Sequence, residues 1–86
     1  MVEKTLVIHN PTGIHARPAA ILVNKAQAFV SKITLEKDGR KVDAKSILGV
    51  MAMAVNQGST VTIRAEGSDE ERAVAELTVF LEQLQY

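Results

Sequence analysis

Lys32-Ile33-Thr34-Leu35-Glu36-Lys37-Asp38-Gly39-Arg40-Lys41-Val42 is the stretch on which the fold turns. Ile33, Leu35 and Lys37 alternate with Lys32, Thr34 and Glu36 at the two-residue period of a strand. Asp38-Gly39 follows, directly before Arg40-Lys41-Val42. A two-residue type I′ turn needs positive φ at both central positions, which Asp-Gly supplies more readily than almost any other pair. The spacing therefore predicts two antiparallel strands joined by a tight hairpin, and a sheet around them.

Working outward, residues 2 to 8 read as a first strand, with Leu6 and Ile8 on one face and Thr5 and Val7 on the other. Thr60 to Glu66 reads as a fourth, with Val61, Ile63 and Ala65 alternating with polar residues, and should sit inside the sheet. Three helices fall between and after the strands. The first runs from about Ala16 to Ala28, with Ala19, Leu22, Val23, Ala26 and Phe29 or Val30 as its apolar stripe. A short one, 47 to 54, follows Ser46 and ends before Asn56-Gln57-Gly58. The third begins at Ser68-Asp69-Glu70-Glu71, which fits a capping box, and buries Val74, Leu77, Leu81 and Leu84. The order β-α-β-β-α-β-α predicts an α+β fold, an open-faced β-sandwich with a four-stranded antiparallel sheet. The first and third helices cover one face, and the second lies near the edge.

The chain of 86 residues is read as one domain, 1–86, large enough to bury roughly 60% of its unfolded surface. It has no cysteine, so disulfides, thiolate metal sites and cysteine nucleophiles are excluded. Ten basic and ten acidic residues cancel without a basic block, which argues against nucleic acid as a partner. No apolar run approaches the roughly 20 residues of a membrane span, and the N-terminus lacks the pattern of a secretory signal, so the expected location is cytoplasmic without membrane insertion. No P-loop glycine pattern is present, and His9 with His15 lacks the spacing and acidic companions of a zinc site; no metal and no cofactor is expected.

The chemistry concentrates in Thr12-Gly13-Ile14-His15-Ala16-Arg17-Pro18. Pro18 announces the first turn of a helix, where its missing N–H is no loss. That turn, expected to hold His15, Ala16 and Arg17, combines free N–H groups with the positive end of the helix dipole, a ready anion site. Arg17 adds a planar fork of donors suited to phosphate oxygens. As an ordinary surface cation it would be misplaced, because the dipole penalises positive charge there. The parts favour negative charge beside an unprotonated, nucleophilic imidazole, and a phosphoryl group carried on His15 fits them. The alternative is an exposed histidine at a helix start.

Ser46 is an ordinary N-cap by type, yet a phosphate added there costs the fold least, since a helix N-terminus stabilises the extra negative charge. Its neighbours Ile47, Leu48 and Met51 are either a buried helix face or an exposed docking patch.

Two segments, Thr12-Gly13-Ile14-His15-Ala16-Arg17-Pro18-Ala19 and Lys45-Ser46-Ile47-Leu48-Gly49-Val50-Met51, resemble the signature segments of HPr, the histidine-containing phosphocarrier of the bacterial sugar phosphotransferase system. The resemblance covers the whole chain. It implies an HPr-like fold in which His15 accepts a phosphoryl group at Nδ1 from Enzyme I and donates it to the EIIA domains of sugar permeases. Arg17 would contact the phosphoryl oxygens. It implies a phosphoryl carrier rather than a stand-alone enzyme. It also implies regulatory phosphorylation of Ser46 by HPr kinase/phosphorylase, the modified form binding the catabolite control protein CcpA. Ala52-Met53-Ala54 departs from the Ser-Leu-Gly of many Gram-positive members. Leu35-Glu36-Lys37-Asp38-Gly39 and Ala44-Lys45-Ser46 are similar to Crh, the HPr-like regulator that lacks the active histidine, and strand-swapped dimers of that branch stand as the alternative to the expected monomer.

Overall fold

A computed structural model describes residues 1–84. The hairpin forms as its residues require: β2 (Lys32–Lys37) pairs antiparallel with β3 (Arg40–Asp43), Lys37 opposite Arg40. Asp38 and Gly39 between them have φ of 52° and 79°, the two positive values of a type I′ turn. β1 (Val2–Val7) and β4 (Thr60–Glu66) complete a four-stranded antiparallel sheet in the order β1-β4-β2-β3. The expected interior position of β4 is borne out, since it pairs with β1 on one side and β2 on the other. Its alternation is clean: Val61, Ile63 and Ala65 are buried while Thr62 and Arg64 face the open side.

The helices α1 (Ala16–Gln27) and α3 (Glu70–Glu82) cover one face of this sheet. Ala19, Leu22, Val23 and Ala26 of α1 meet Val74, Leu77 and Leu81 of α3 over the inward side chains of the strands. Phe29 closes the α1 stripe at 4% exposure while Val30, at 77%, points to solvent. α2 (Ile47–Ala52) is shorter than expected; it packs against α1 and the edge strand β3. Met53 is its C-cap, and Ala54 then takes a left-handed φ of 53°, which turns the chain out of the helix before position 54 can extend it. On the open face Arg64 reaches Glu3 at 2.6 Å and Glu36 at 3.0 Å, and the Thr5 and Thr62 hydroxyls lie 2.9 Å apart.

The capping box at the start of α3 does not form as expected. Asp69, the N-cap, makes no side-chain bond to its own helix. Its carboxylate instead accepts from the Val30 and Ser31 N–H groups, each at 3.0 Å, and from the Ser31 hydroxyl. A loop 38 residues away competes successfully for the carboxylate, because its two adjacent N–H groups would otherwise lack acceptors. The Ser31 hydroxyl first, then the two N–H groups, hold the Asp69 carboxyl below its ordinary value. Glu70 supplies the reciprocal bond, accepting from the Gly67 N–H at 3.1 Å and pairing with the Met1 amine at 2.8 Å.

Candidate functional site

The loop ahead of α1 is built before the helix begins. Asn10-Pro11-Thr12-Gly13 carries Asn, Pro and Gly at the first, second and fourth positions of a β-turn, and the Gly13 N–H closes it on the Asn10 carbonyl at 2.8 Å. The Asn10 side chain closes it a second time, its Nδ2 donating to the Gly13 carbonyl at 2.7 Å and to the Thr12 hydroxyl at 3.1 Å. Gly13 sits at φ 62°, and a Cβ there would lie 2.1 Å from the Val55 carbonyl oxygen. That oxygen accepts the next N–H, from Ile14, at 3.0 Å, and the Ile14 side chain is buried in the core. The chain thus arrives at residue 15 pinned by a turn, a close backbone approach and an apolar anchor.

His15 lies one position before the helix: it is the N-cap of α1, with extended backbone, and its carbonyl accepts the first helical bond from the Ala19 N–H at 2.9 Å. The first turn is Ala16, Arg17 and Pro18, a displacement of one residue from the expected one. The His15 ring makes no capping bond and is exposed, so both nitrogens are open to a partner. Ala16 and Arg17 carry the N–H groups for which a helix has no internal acceptors, and Pro18 has none to spare. Arg17 is exposed and forms no ion pair or hydrogen bond among the described residues. The first turn holds no acidic residue. The surroundings repeat this bias, because the stretches 4–35 and 44–65, which supply α1, α2 and the loops between them, contain no Asp or Glu. Two unpaired N–H groups, a guanidinium and an open imidazole at the positive end of a dipole can bind an anion and offer it a nucleophile.

Ser46 caps α2 as its type predicts, its hydroxyl accepting from the Gly49 N–H at 3.2 Å. The structure does not bring it to His15. α2 runs back along α1, with the Lys45 carbonyl accepting from Gln27 at one end and Val55 meeting Ile14 at the other. The two residues therefore stand at opposite ends of α1, a separation of about 18 Å for 12 helical residues. Between them lies the patch: Ile47 is 40% exposed, Leu48 80% and Met51 45%, while Val50 and Met53 of the same segment face the core. Ile47, Leu48 and Met51 are therefore not a buried helix face.

His9 is exposed and holds the Gln57 amide through its carbonyl at 3.3 Å. No cluster of three metal-ligating side chains occurs among the described residues, and no helix among them is long and apolar enough to cross a membrane. Two residues that shape the site escaped the sequence reading. Val55 acts through its carbonyl and leaves no side-chain signal. Asn10 was legible as a turn residue, yet its burial, at 1% exposure, was not.

A family model described as the PTS HPr component phosphorylation site matches residues 2–83. The HPr-like protein Crh of Halalkalibacterium halodurans is 49% identical over 83 residues, covering 96% of this chain and 99% of that protein. The solved structure of HPr-C-His from Thermoanaerobacter tengcongensis is similar at a TM-score of 0.92 and 51% identity, over 95% of this chain and 92% of that one. Crh of Bacillus subtilis, solved as a dimer with a swapping domain, is similar at a TM-score of 0.78 and 43% identity, over 100% and 99% of the two chains. Matched nearly end to end in sequence and in fold, the chain belongs to the HPr family of phosphocarriers of the phosphotransferase system.

Proposed function

We propose that residues 1–86 act as one domain that carries a phosphoryl group on His15, accepting it from phospho-Enzyme I and passing it to the EIIA domains of sugar permeases in the cytoplasm. The observation that carries this reading is the pairing of an open imidazole at the α1 N-cap with an unpaired Arg17 in a first turn free of acid. A ring nitrogen attacks phosphorus as the bond from phosphorus to the donor's own carrying atom breaks, so one transfer is split into two and the carrier mainly positions and stabilises the group. The helix N–H groups and Arg17 neutralise the equatorial oxygens in both the acceptor and donor steps. Ile47, Leu48 and Met51 supply the apolar contact that seats a partner beside them.

The test is incubation with phosphoenolpyruvate and purified Enzyme I, reading acid-labile phosphate by intact mass. Wild type gains one phosphoryl group and His15→Ala gains none; an unphosphorylated, folded wild type rejects the reading.

The similarity to Crh of Halalkalibacterium halodurans favours, as the alternative to carriage, a regulatory function. Here HPr kinase/phosphorylase modifies Ser46, and the modified chain binds CcpA as a corepressor in catabolite repression, as a monomer or as a swapped dimer. This function survives His15→Ala, whereas carriage does not.

A further inference from the structure

We infer that Asn10 is the positioning residue of this site, the side chain that sets where His15 stands. A turn residue in a surface loop is ordinarily exposed; Asn10 is 1% exposed, as buried as the apolar core. Its carboxamide is used from one end. Nδ2 donates to the Gly13 carbonyl at 2.7 Å and to the Thr12 hydroxyl at 3.1 Å, while Oδ1 is buried without a partner among the described residues. An idle buried acceptor is a cost, and the fold tolerates it here because the donor end closes the turn that precedes the reactive residue.

The chain of contacts from Asn10 to His15 has no slack. The Gly13 carbonyl that Asn10 holds belongs to the residue packed against Val55, and the next N–H, Ile14, is bonded to that same Val55 carbonyl. His15 follows immediately. On the helix side the His15 carbonyl is held by the Ala19 N–H, but the His15 side chain makes no capping bond that would orient the ring. Loss of the Asn10 donor leaves the Gly13–Ile14 peptide held from one side only, by the Ile14 N–H on the Val55 carbonyl, so the peptide plane tilts about that bond and the chain leading to His15 shifts with it. The ring then leaves the axis of the Ala16 and Arg17 N–H groups, and a group displaced by about an ångström reacts up to a hundredfold more slowly. Asn10 touches neither the phosphoryl group nor the imidazole. It acts through the turn.

The inference rests on the carrier reading for its rate measurement, so a second readout independent of activity goes with it. Asn10→Ala is assayed for its rate of phosphoryl acceptance from phospho-Enzyme I, and its His15 ring signals and Gly13 to Arg17 amide signals are recorded by NMR. The expected result is a folded protein that accepts at least about tenfold more slowly, with those signals displaced and those of β2 and β3 in place. Asn10→Ser, which keeps one donor, recovers part of the rate; if Asn10→Ala does not fold, Asn10→Ser is read by the same criteria. A rate within about twofold of wild type overturns the inference, and so does a slower rate with the Gly13 to Arg17 signals unmoved. Should wild type itself accept no phosphoryl group, the carrier reading fails and the signals alone decide: displaced, they keep Asn10 as the residue that sets His15; unmoved, they overturn it.

Discussion

Ala54 holds a φ of 53° at the exit from α2, a conformation that glycine adopts freely and that costs other L-residues roughly 1–2 kcal/mol. Its carbonyl accepts from the Lys37 amine at 3.1 Å, which ties the strained residue to the hairpin. Ala54→Gly is therefore expected to raise unfolding stability by about 0.5–1 kcal/mol, read from urea midpoints, the relief of strain exceeding the added freedom of the unfolded chain. Asp69 is the residue where acid should act. Its carboxyl titrates below its ordinary value of 3.8 because the folded state bonds the charged form, first through the Ser31 hydroxyl. A depressed folded value contributes stability that is present above pH 4 and lost as pH falls through the folded value. Asp69→Asn should unfold at lower urea than wild type at pH 7, with the difference shrinking by pH 3; a gap independent of pH would rule out the charged clamp.

Among the elements, α2 is the one least able to form by itself, since six residues are too few for an autonomous helix. It is held by the Ser46 cap, by Val50 and Met53 in the core, and by its packing on α1 and β3. Its outer side is correspondingly free to serve partners. Changing Ile47, Leu48 or Met51 to aspartate should slow phosphoryl exchange with Enzyme I severalfold by placing charge in an apolar contact. Leu48→Asp should leave stability within about 0.5 kcal/mol of wild type, because that side chain buries little, whereas the changes at Ile47 and Met51, which bury more than half of their surface, should each cost more, about 1 kcal/mol, without unfolding the protein. Position 47 is the first residue of the helix, where an acidic side chain suits the dipole. Unfolding of the variants would return the patch to the core.

Across the whole molecule the charges cancel, but they are not mixed. The acidic residues lie in the β1 start, the hairpin, β3, the end of β4, and α3 with its N-cap, while the segments that supply the His15 end have none. Such segregation steers an acidic partner toward the site and is weakened by salt. Raising salt from about 0.05 to 0.5 M should slow phosphoryl acceptance severalfold under second-order conditions while the thermal midpoint changes little. A salt-independent rate would mean that the apolar patch alone directs docking.

How much was legible depended on how far apart in sequence the interacting groups lie. The Asp38-Gly39 turn, the strand alternations, the Ser46 cap and the apolar stripes were readable because each is decided by residues within a few positions of one another. From them came the antiparallel sheet with one face covered, and His15 beside Arg17 at the mouth of a helix. What only the tertiary structure decided are outcomes of competition between distant groups. Asp69 left its own helix for Ser31, Val55 met Gly13 and Ile14, Phe29 rather than Val30 entered the core, and Ser46 came to rest a helix length away from His15. A local pattern states which groups need a partner; which partner each one finds depends on packing, because only the folded chain brings the competitors within reach of each other.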